Sequence, residues 1–357
     1  MTLTGPLSAT IALFVAGAAL TFLPARRADS GPAHETVGKG RIGLVFDVGG
    51  RGDKSFNDAA YAGLTRAEQE LGVQGSYLEP TGSEDREAAM RLFAARGFDL
   101  VIGVGFIFSS DVDRVAHDYP NVHFACIDYA PPPSGTPPNV EGLDFREEEA
   151  SFLVGAVAGF MSKSHAVGFV GGMTGPLIRK FEVGYVAGVK AACADCVVHS
   201  AYAGESPDAF RDPSKGKALA ISEIAEGADV LYHAAGATGH GVFEAAKENR
   251  VWAIGVDADQ YDEMPGTVLT SMVKRGDVAV EEAIRAAVEG RFEPGVHELG
   301  LRDGAVSYVR DGAHGASIPD DVKLRVDALR DLYAPVPQDR DPDPILDALD
   351  FGLMTSP

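Results

Sequence analysis

Residues 42–64, IGLVFDVGGRGDKSFNDAAYAGL, pass from a short apolar strand (Ile42, Leu44, Val45, Phe46) through a glycine turn into a helix-like stretch. Open α/β sheets present their ligands at such turns, outside the carboxyl ends of the strands. This turn is not built for phosphate. A loop of the form G-x4-G-K-[ST] closing on Lys54-Ser55 needs glycine where Val48 and Asp53 stand, and the Asp53 carboxylate would repel the anion. The dinucleotide fingerprint G-x-G-x-x-G fails as well: after Gly50-Arg51-Gly52, its third glycine position holds Ser55. What remains is Asp47 at the strand end, with Asp53, Ser55, Phe56 and Asn57 at the helix start. A ring flanked by carboxylates and an amide suits a flat polar ligand without a phosphate. Such a ligand stacks on the ring while its hydroxyls or ring N–H groups donate to the carboxylates. The plainer alternative is a helix capped by Asp53 or Ser55, with Phe56 packed inward.

The alternation of strand and helix continues outward. Further candidate strands are 75–79, 99–104, 122–127, 166–171, 197–202, 229–234 and 251–256, most of them separated by amphipathic segments of helix length. That pattern predicts an α/β fold with parallel sheets, better accommodated in two open sheets than in one. The expected seam is APPPSGTPPNVEGLDF, residues 130–145, whose prolines break any helix. The next helix is expected to open on the capping-box spacing Asp144 to Glu147, to carry Glu147, Glu148 and Glu149 in its first turn, and to bury Phe152, Leu153, Ala156, Val157 and Phe160. Other strand ends repeat the chemistry of the first. Asp128 follows one, Gly236 opens a small-residue turn after another, Asp257 and Asp259 follow a third, and Lys274 stands at the expected start of an amphipathic helix. Carboxylates spread over both halves of the chain predict a cleft between two domains.

Bulk composition excludes other classes. With 52 acidic against 31 basic residues, a formal charge of -21, the chain is not a nucleic-acid binder. Three cysteines are too few for a disulfide framework. Cys193-Ala-Asp-Cys196 is a lone CxxC, read as a local disulfide or two idle thiols rather than a zinc site, and Cys126 reads as core packing. His233 and His240 stand seven positions apart across a glycine turn without a third ligand in the motif, so no metal site is expected there. The run LSATIALFVAGAALTFL, residues 7–23, followed by PARRADSGPAH, reads as a signal peptide or N-terminal anchor with a linker. Arg26 and Arg27 lie after that run and no Lys or Arg precedes it, opposite to the usual bias. The Pro/Asp-rich segment 335–357 is expected to be a loosely ordered acidic tail.

Several stretches together carry a family resemblance: FDVGGRGDKSFNDAAYAGL, DFREEEASFLVGAVAGFMSK, VGFVGGMTGPLIRKFEVGYVAGVKA, AFRDPSKGKALA, HAAGATGHGVFEAA, GVDADQ and LTSMVKRGDVAV. In this order, over about residues 41–310, the chain resembles the basic membrane lipoprotein family of solute-binding proteins. The resemblance implies a type I periplasmic-binding-protein fold, with two Rossmann-like lobes and parallel sheets closing on a nucleoside that passes to an ABC permease. It implies an N-lobe of residues 36–145 completed by about 255–300, and a C-lobe of 146–254 completed by about 301–334. In that family two phenylalanines sandwich a purine; here they match Phe56 and Phe210. Asp128 matches the carboxylate that reads the base. Asp257 and Lys274 match the ribose contacts, with Gly236 beside them, and Asp47 and Asn57 match the remaining polar positions. No cofactor, catalysis or nucleic-acid partner is implied, and contact with the membrane is through the N-terminal segment or the permease. The chain departs from the family in having no cysteine before Cys126, so lipid attachment is not expected. Phe181 and Tyr185, at helical spacing, are assigned to the core. Two other functions compete: a nucleoside hydrolase or phosphorylase, which would need a denser carboxylate or metal cluster, and a ligand sensor, which would need an effector segment.

Overall fold

The computed structural model describes residues 39–80 and 83–333. The expected leader, residues 1–35, and the expected tail, 335–357, lie outside the described residues.

Two six-stranded sheets organise the rest. The first contains β1 (Arg41–Val45), β2 (Gln74–Leu78), β3 (Leu100–Val104), β4 (His123–Ile127), β5 (Val140–Phe145) and β11 (Gly295–Leu299), in the order β11-β5-β4-β3-β1-β2 and parallel throughout. The second contains β6 (Ala166–Met173), β7 (Val197–Gly204), β8 (Val230–Ala234), β9 (Trp252–Gly255), β10 (Val268–Lys274) and β12 (Val306–Tyr308), in the order β12-β10-β9-β8-β6-β7. Only its last pair, β10 with β12, is antiparallel. The two sheets follow one plan: a first strand, its neighbour on one side, the next three on the other, and a late strand at the far edge. Each therefore has a switch point, between β1 and β3 in one lobe and between β6 and β8 in the other, where a ligand crevice opens.

Helices cover the sheets because parallel strands need crossovers. The first lobe carries α1 (Phe56–Leu71), α2 (Ser83–Ala95), α3 (Ser109–Asp118) and α8 (Gly276–Val288); the second carries α4 (Glu147–Met161), α5 (Pro176–Ala192), α6 (Pro213–Ala225), α7 (Gly239–Asn249) and α9 (Asp320–Tyr333). Helix α1 stops at Gly72, whose left-handed φ of 70° lets its N–H reach the Glu68 carbonyl. Helices α4 and α5 pack backbone to backbone: a Cβ at Gly188 would sit 1.9 Å from the Phe152 carbonyl oxygen. An apolar cluster runs unbroken from Ile42 and Leu64 in one lobe to Phe169 and Tyr232 in the other. At the end of α5, Cys193 and Cys196 form a disulfide, while Cys126 is a free, buried thiol. No helix among the described residues is long and apolar enough to cross a membrane.

Three expectations need correction. The proline-rich segment is not linker throughout, because its last residues are β5, a strand of the first sheet between β4 and β11; the chain changes lobe at Arg146, where the expected N-lobe of 36–145 ends. Glu141, Gly142 and Asp144 hide that strand by interrupting its apolar pattern, although Val140, Leu143 and Phe145 are buried. Asp144 accordingly lies within β5 and does not cap α4, whose N-cap is Arg146. Finally, residues 252–274 stay with the second sheet, so the return to the first lobe begins at Gly276 rather than near 255, and Lys274 ends a strand instead of starting a helix.

Candidate functional site

All eight residues singled out in the sequence face one cleft between the lobes, enclosing about 550 Å³ with its open mouth included. From the first lobe come Asp47 after β1, Phe56 and Asn57 at the start of α1, and Asp128 after β4. From the second come Phe210 after β7, Gly236 after β8, Asp257 after β9, and Lys274 at the end of β10. These positions lie at or beside the carboxyl ends of strands, where the two switch points open.

The first loop is rigid by its own hydrogen bonds. The Asp53 carboxylate accepts from the backbone N–H groups of Ser55, Asn57 and Asp58 at 2.9–3.1 Å, and so caps α1. The same carboxylate takes the Asn57 amide Nδ2 at 3.0 Å, and Asn57 Oδ1 accepts from the Asp47 N–H at 3.0 Å. Capping thus falls to Asp53, and Asn57 is fixed with its amide locked between two partners. Phe56 is not turned inward: its ring is half-buried, packed on the core below and on the cleft above. Phe210 has the same half-buried character on the opposite wall.

Asp128 and Asp257 occupy equivalent places in the two lobes, and both have left-handed backbone, with φ of 58° and 65°. Aspartate tolerates this region better than most residues, yet such strain persists only where the surroundings impose it. Here the Asp128 N–H is held by the Leu143 carbonyl at 2.7 Å, and the Asp257 carbonyl by the Lys274 N–H at 2.9 Å. The turn aims each carboxylate into the cleft.

Lys274 is the hub between them. Its buried ammonium donates to both Asp128 oxygens at 2.9 Å and to Glu147 Oε1 at 3.2 Å, and lies 4.8 Å from the Phe56 ring centroid. Glu147, the first residue of α4, is fully buried and also 3.4 Å from Lys180, which in turn holds Asp144 and the Phe145 carbonyl. Two lysines of the second lobe therefore grip carboxylates around the point where the chain crosses from the first.

Burial sets the protonation of this cluster. It pushes Glu147 up to about 8, against the pull of Lys274 and Lys180. It raises Asp257 to about 6 and Asp47 to about 7, and raises Asp128 while the Lys274 ammonium opposes it. The carboxylate pKa values are higher folded than unfolded. Their contribution to stability is therefore complete below the unfolded values near 4 and fades as pH rises toward 8. The protein is expected to unfold at a lower urea concentration at pH 8.5 than at pH 5.5. Glu147→Gln, which imitates the protonated acid, should flatten that slope. An unchanged slope in the variant would show that Glu147 stays ionised throughout.

Besides the bonds from Lys274 to Asp128, two more side chains bridge the lobes. Ser55 Oγ donates to Asp257 Oδ2 at 2.6 Å, and Gln260 Nε2 donates to the Lys54 carbonyl at 3.1 Å. Glu147 and Lys180 are not among the residues that the sequence singles out for the site, nor are Phe106, Leu177 and Ile178, which complete the apolar walls. Phe181 is 3% exposed and in the core, as its spacing indicates, but its edge also lines the cleft. A signal for Leu177 and Ile178 does exist, since they lie one and two residues beyond Gly175-Pro176 after a strand. None exists for Glu147, because a carboxylate in a first helical turn reads as dipole compensation. His233 is buried against Phe243, with the ring centroids 4.9 Å apart, whereas His240 is exposed on α7. Among the described residues, the cleft lining contains no Ser, Thr, Cys or His, and its lysine is committed to carboxylates. The lining therefore offers aromatic faces and carboxylate, amide and ammonium groups for hydrogen bonding.

The profile of the family described as "ABC transporter substrate-binding protein PnrA-like" matches residues 41–325. An uncharacterized lipoprotein of Pyrococcus horikoshii is 35% identical over 315 residues, 85% of this chain and 77% of its own. The ABC transporter nucleoside-binding protein BmpA of Lactococcus lactis is 31% identical over 295 residues, 76% of this chain and 82% of its own. Among solved structures, an ABC transporter solute-binding protein from Aeropyrum pernix is similar with a TM-score of 0.71 and 33% identity, covering 82% of this chain and 86% of that one.

Proposed function

The chain belongs to the family of PnrA-like ABC transporter substrate-binding proteins, and on that footing we propose that it captures a purine nucleoside by stacking the base between Phe56 and Phe210. The family role is to bind a small molecule and hand it to an ABC permease. The observation that carries the nucleoside reading is the pair of half-buried phenylalanine rings, one from each lobe, on a single cleft flanked by carboxylates. The relative named as nucleoside-binding supports it. Stacking on two rings favours a flat base over a sugar alone, because base–aromatic contact contributes roughly 1–3 kcal/mol per base.

The polar groups divide between the two ends of such a ligand. Lys274 joins Asp128 to its own side of the cleft, next to Asp257, and this charged group suits ribose hydroxyls. Asp128, which the resemblance assigns to the base, is tied by Lys274 to this group and stands between the sugar and the Phe56 ring in this reading. Asp47 and Asn57, linked to each other and away from the lysine, are left for the base edge. A carboxyl with a pKa of about 7 can offer either a proton or a lone pair to ring nitrogens.

Lipoprotein relatives support a site of action outside the cytoplasm, with the membrane reached through an anchor or the permease. An enzyme of nucleoside cleavage would set a carboxylate nucleophile or an activated water against the ribose, and release of free base from inosine would mark that reading.

Calorimetric titration of refolded protein with guanosine, adenosine, inosine, cytidine, ribose and guanine tests the reading; silence across all nucleosides rejects it. Asp257→Ala is expected to weaken nucleoside binding by about 10- to 100-fold, as the loss of hydrogen bonds to a charged group does, and to spare the free base. Since Asp257 also holds Ser55, the control is Ser55→Ala, which removes only the bond across the cleft. Equal losses for base and nucleoside beyond that control would remove Asp257 from the ribose.

A further inference from the structure

A second pocket, open to solvent and of about 540 Å³ with its mouth included, adjoins the nucleoside cleft and shares Asp53, Gly236 and Ala237 with it. It lies between the lobes: Gly52 and Lys54 form one wall, and Pro213, His240, Gln260 and Glu263 form the other. The bond from Gln260 to the Lys54 carbonyl crosses it, so the cavity belongs to the closed molecule. Its connection is at the sugar end of the first cleft, because Ser55, next to Lys54, is bonded to Asp257. A nucleoside with its ribose on Asp257 and Lys274 leaves this second space unfilled.

The charges around it are mixed. The Lys54 ammonium has no ion-pair partner among the described residues and is exposed at the wall. Opposite stands the Glu263 carboxylate, with His240 Nδ1 at 3.8 Å. A phosphate fits poorly. One exposed lysine and a histidine shared with Glu244 and Glu263 would face Asp53, Glu263 and the neighbouring Asp257. A group carrying both signs fits well, with a carboxylate toward Lys54 and an ammonium toward Glu263.

Resting on the nucleoside reading, we propose that this cavity is an extension subsite for nucleosides substituted at C5′ with a short zwitterionic, amino-acid-like chain. Such a ligand fills both spaces at once and sets a matched pair of charges against Lys54 and Glu263.

The test uses matched pairs on the refolded protein: adenosine with S-adenosylhomocysteine, and inosine with S-inosylhomocysteine. The readout is the affinity ratio within each pair, measured by calorimetry for the wild type, Lys54→Ala and Glu263→Gln. Lys54 is exposed and Glu263 partly so, and neither substitution disturbs a core contact. The expected result is a wild-type ratio of at least five in favour of the extended ligand, falling to one or below in each variant. A wild-type ratio of one or less overturns the proposal, as does a gain that survives both substitutions. If the parent nucleosides bind and the extended ones do not, only the subsite fails. If neither parent binds, the nucleoside reading has failed and the subsite falls with it.

Discussion

Lys274→Met is expected to abolish nucleoside binding, with affinity falling more than 100-fold, and to lower the stability of the folded protein by about 3–5 kcal/mol. Methionine keeps the length of the side chain and removes the ammonium. Asp128 and Glu147 then lose the cation that holds them, and Asp257 loses its nearest positive charge. All three are buried, so they must either take up protons or remain charged in a medium that solvates them poorly. Calorimetry measures the loss of binding and urea unfolding the loss of stability. Adding Asp128→Asn to the variant should restore much of the stability without restoring affinity, which separates the structural role of the lysine from its role in recognition. A folded Lys274→Met protein that binds within tenfold of the wild type would remove Lys274 from the site.

Loss of either aromatic face should be nearly as damaging. Phe56→Ala and Phe210→Ala are each expected to weaken purine nucleoside binding by about 5- to 150-fold, the range of 1–3 kcal/mol per stacked base. The two effects are not independent. Phe210 reaches the base only when the lobes close, so the double variant should lose less than the product of the single losses. Both rings also pack on the core. Phe56→Leu and Phe210→Leu therefore serve as controls that retain apolar volume while losing the flat face. Affinity unchanged in Phe210→Ala but lost in Phe56→Ala would leave a single stacking wall and refute the sandwich.

Much of this site can be read from the order of residues alone. Asp47, Phe56, Asn57, Asp128, Gly236 and Asp257 stand at or just beyond strand ends, and in parallel sheets strand ends converge. Apolar runs followed by glycine or aspartate are enough to find them. The strands that such runs do not reveal are β5, β11 and β12 at or near a sheet edge, and β10, whose Thr270, Ser271 and Lys274 dilute its apolar character. Without β5 the proline-rich segment reads as linker to its end, although the boundary after Phe145 stands, and without β10 the first lobe takes residues belonging to the second. Side chains that act through distant partners leave no local trace at all. Lys180 meets Asp144 across 36 positions and Ser55 meets Asp257 across 202, and no sequence pattern registers such a meeting. The left-handed backbone of Asp128 and Asp257 is equally hidden, since aspartate after a strand is common in ordinary turns.

The bonds from Ser55 to Asp257 and from Gln260 to Lys54 are made entirely by the protein. They favour closure whether or not the cleft is filled, each by about 1 kcal/mol if they behave as ordinary hydrogen bonds. An empty receptor is thereby drawn toward the same outline as a loaded one, and a transporter that judged only by outline would score false positives. The background rises with every such bond, while the signal depends on what the ligand adds above it. For a receptor of this design, a tighter latch slows release of the ligand and loses honesty of reporting.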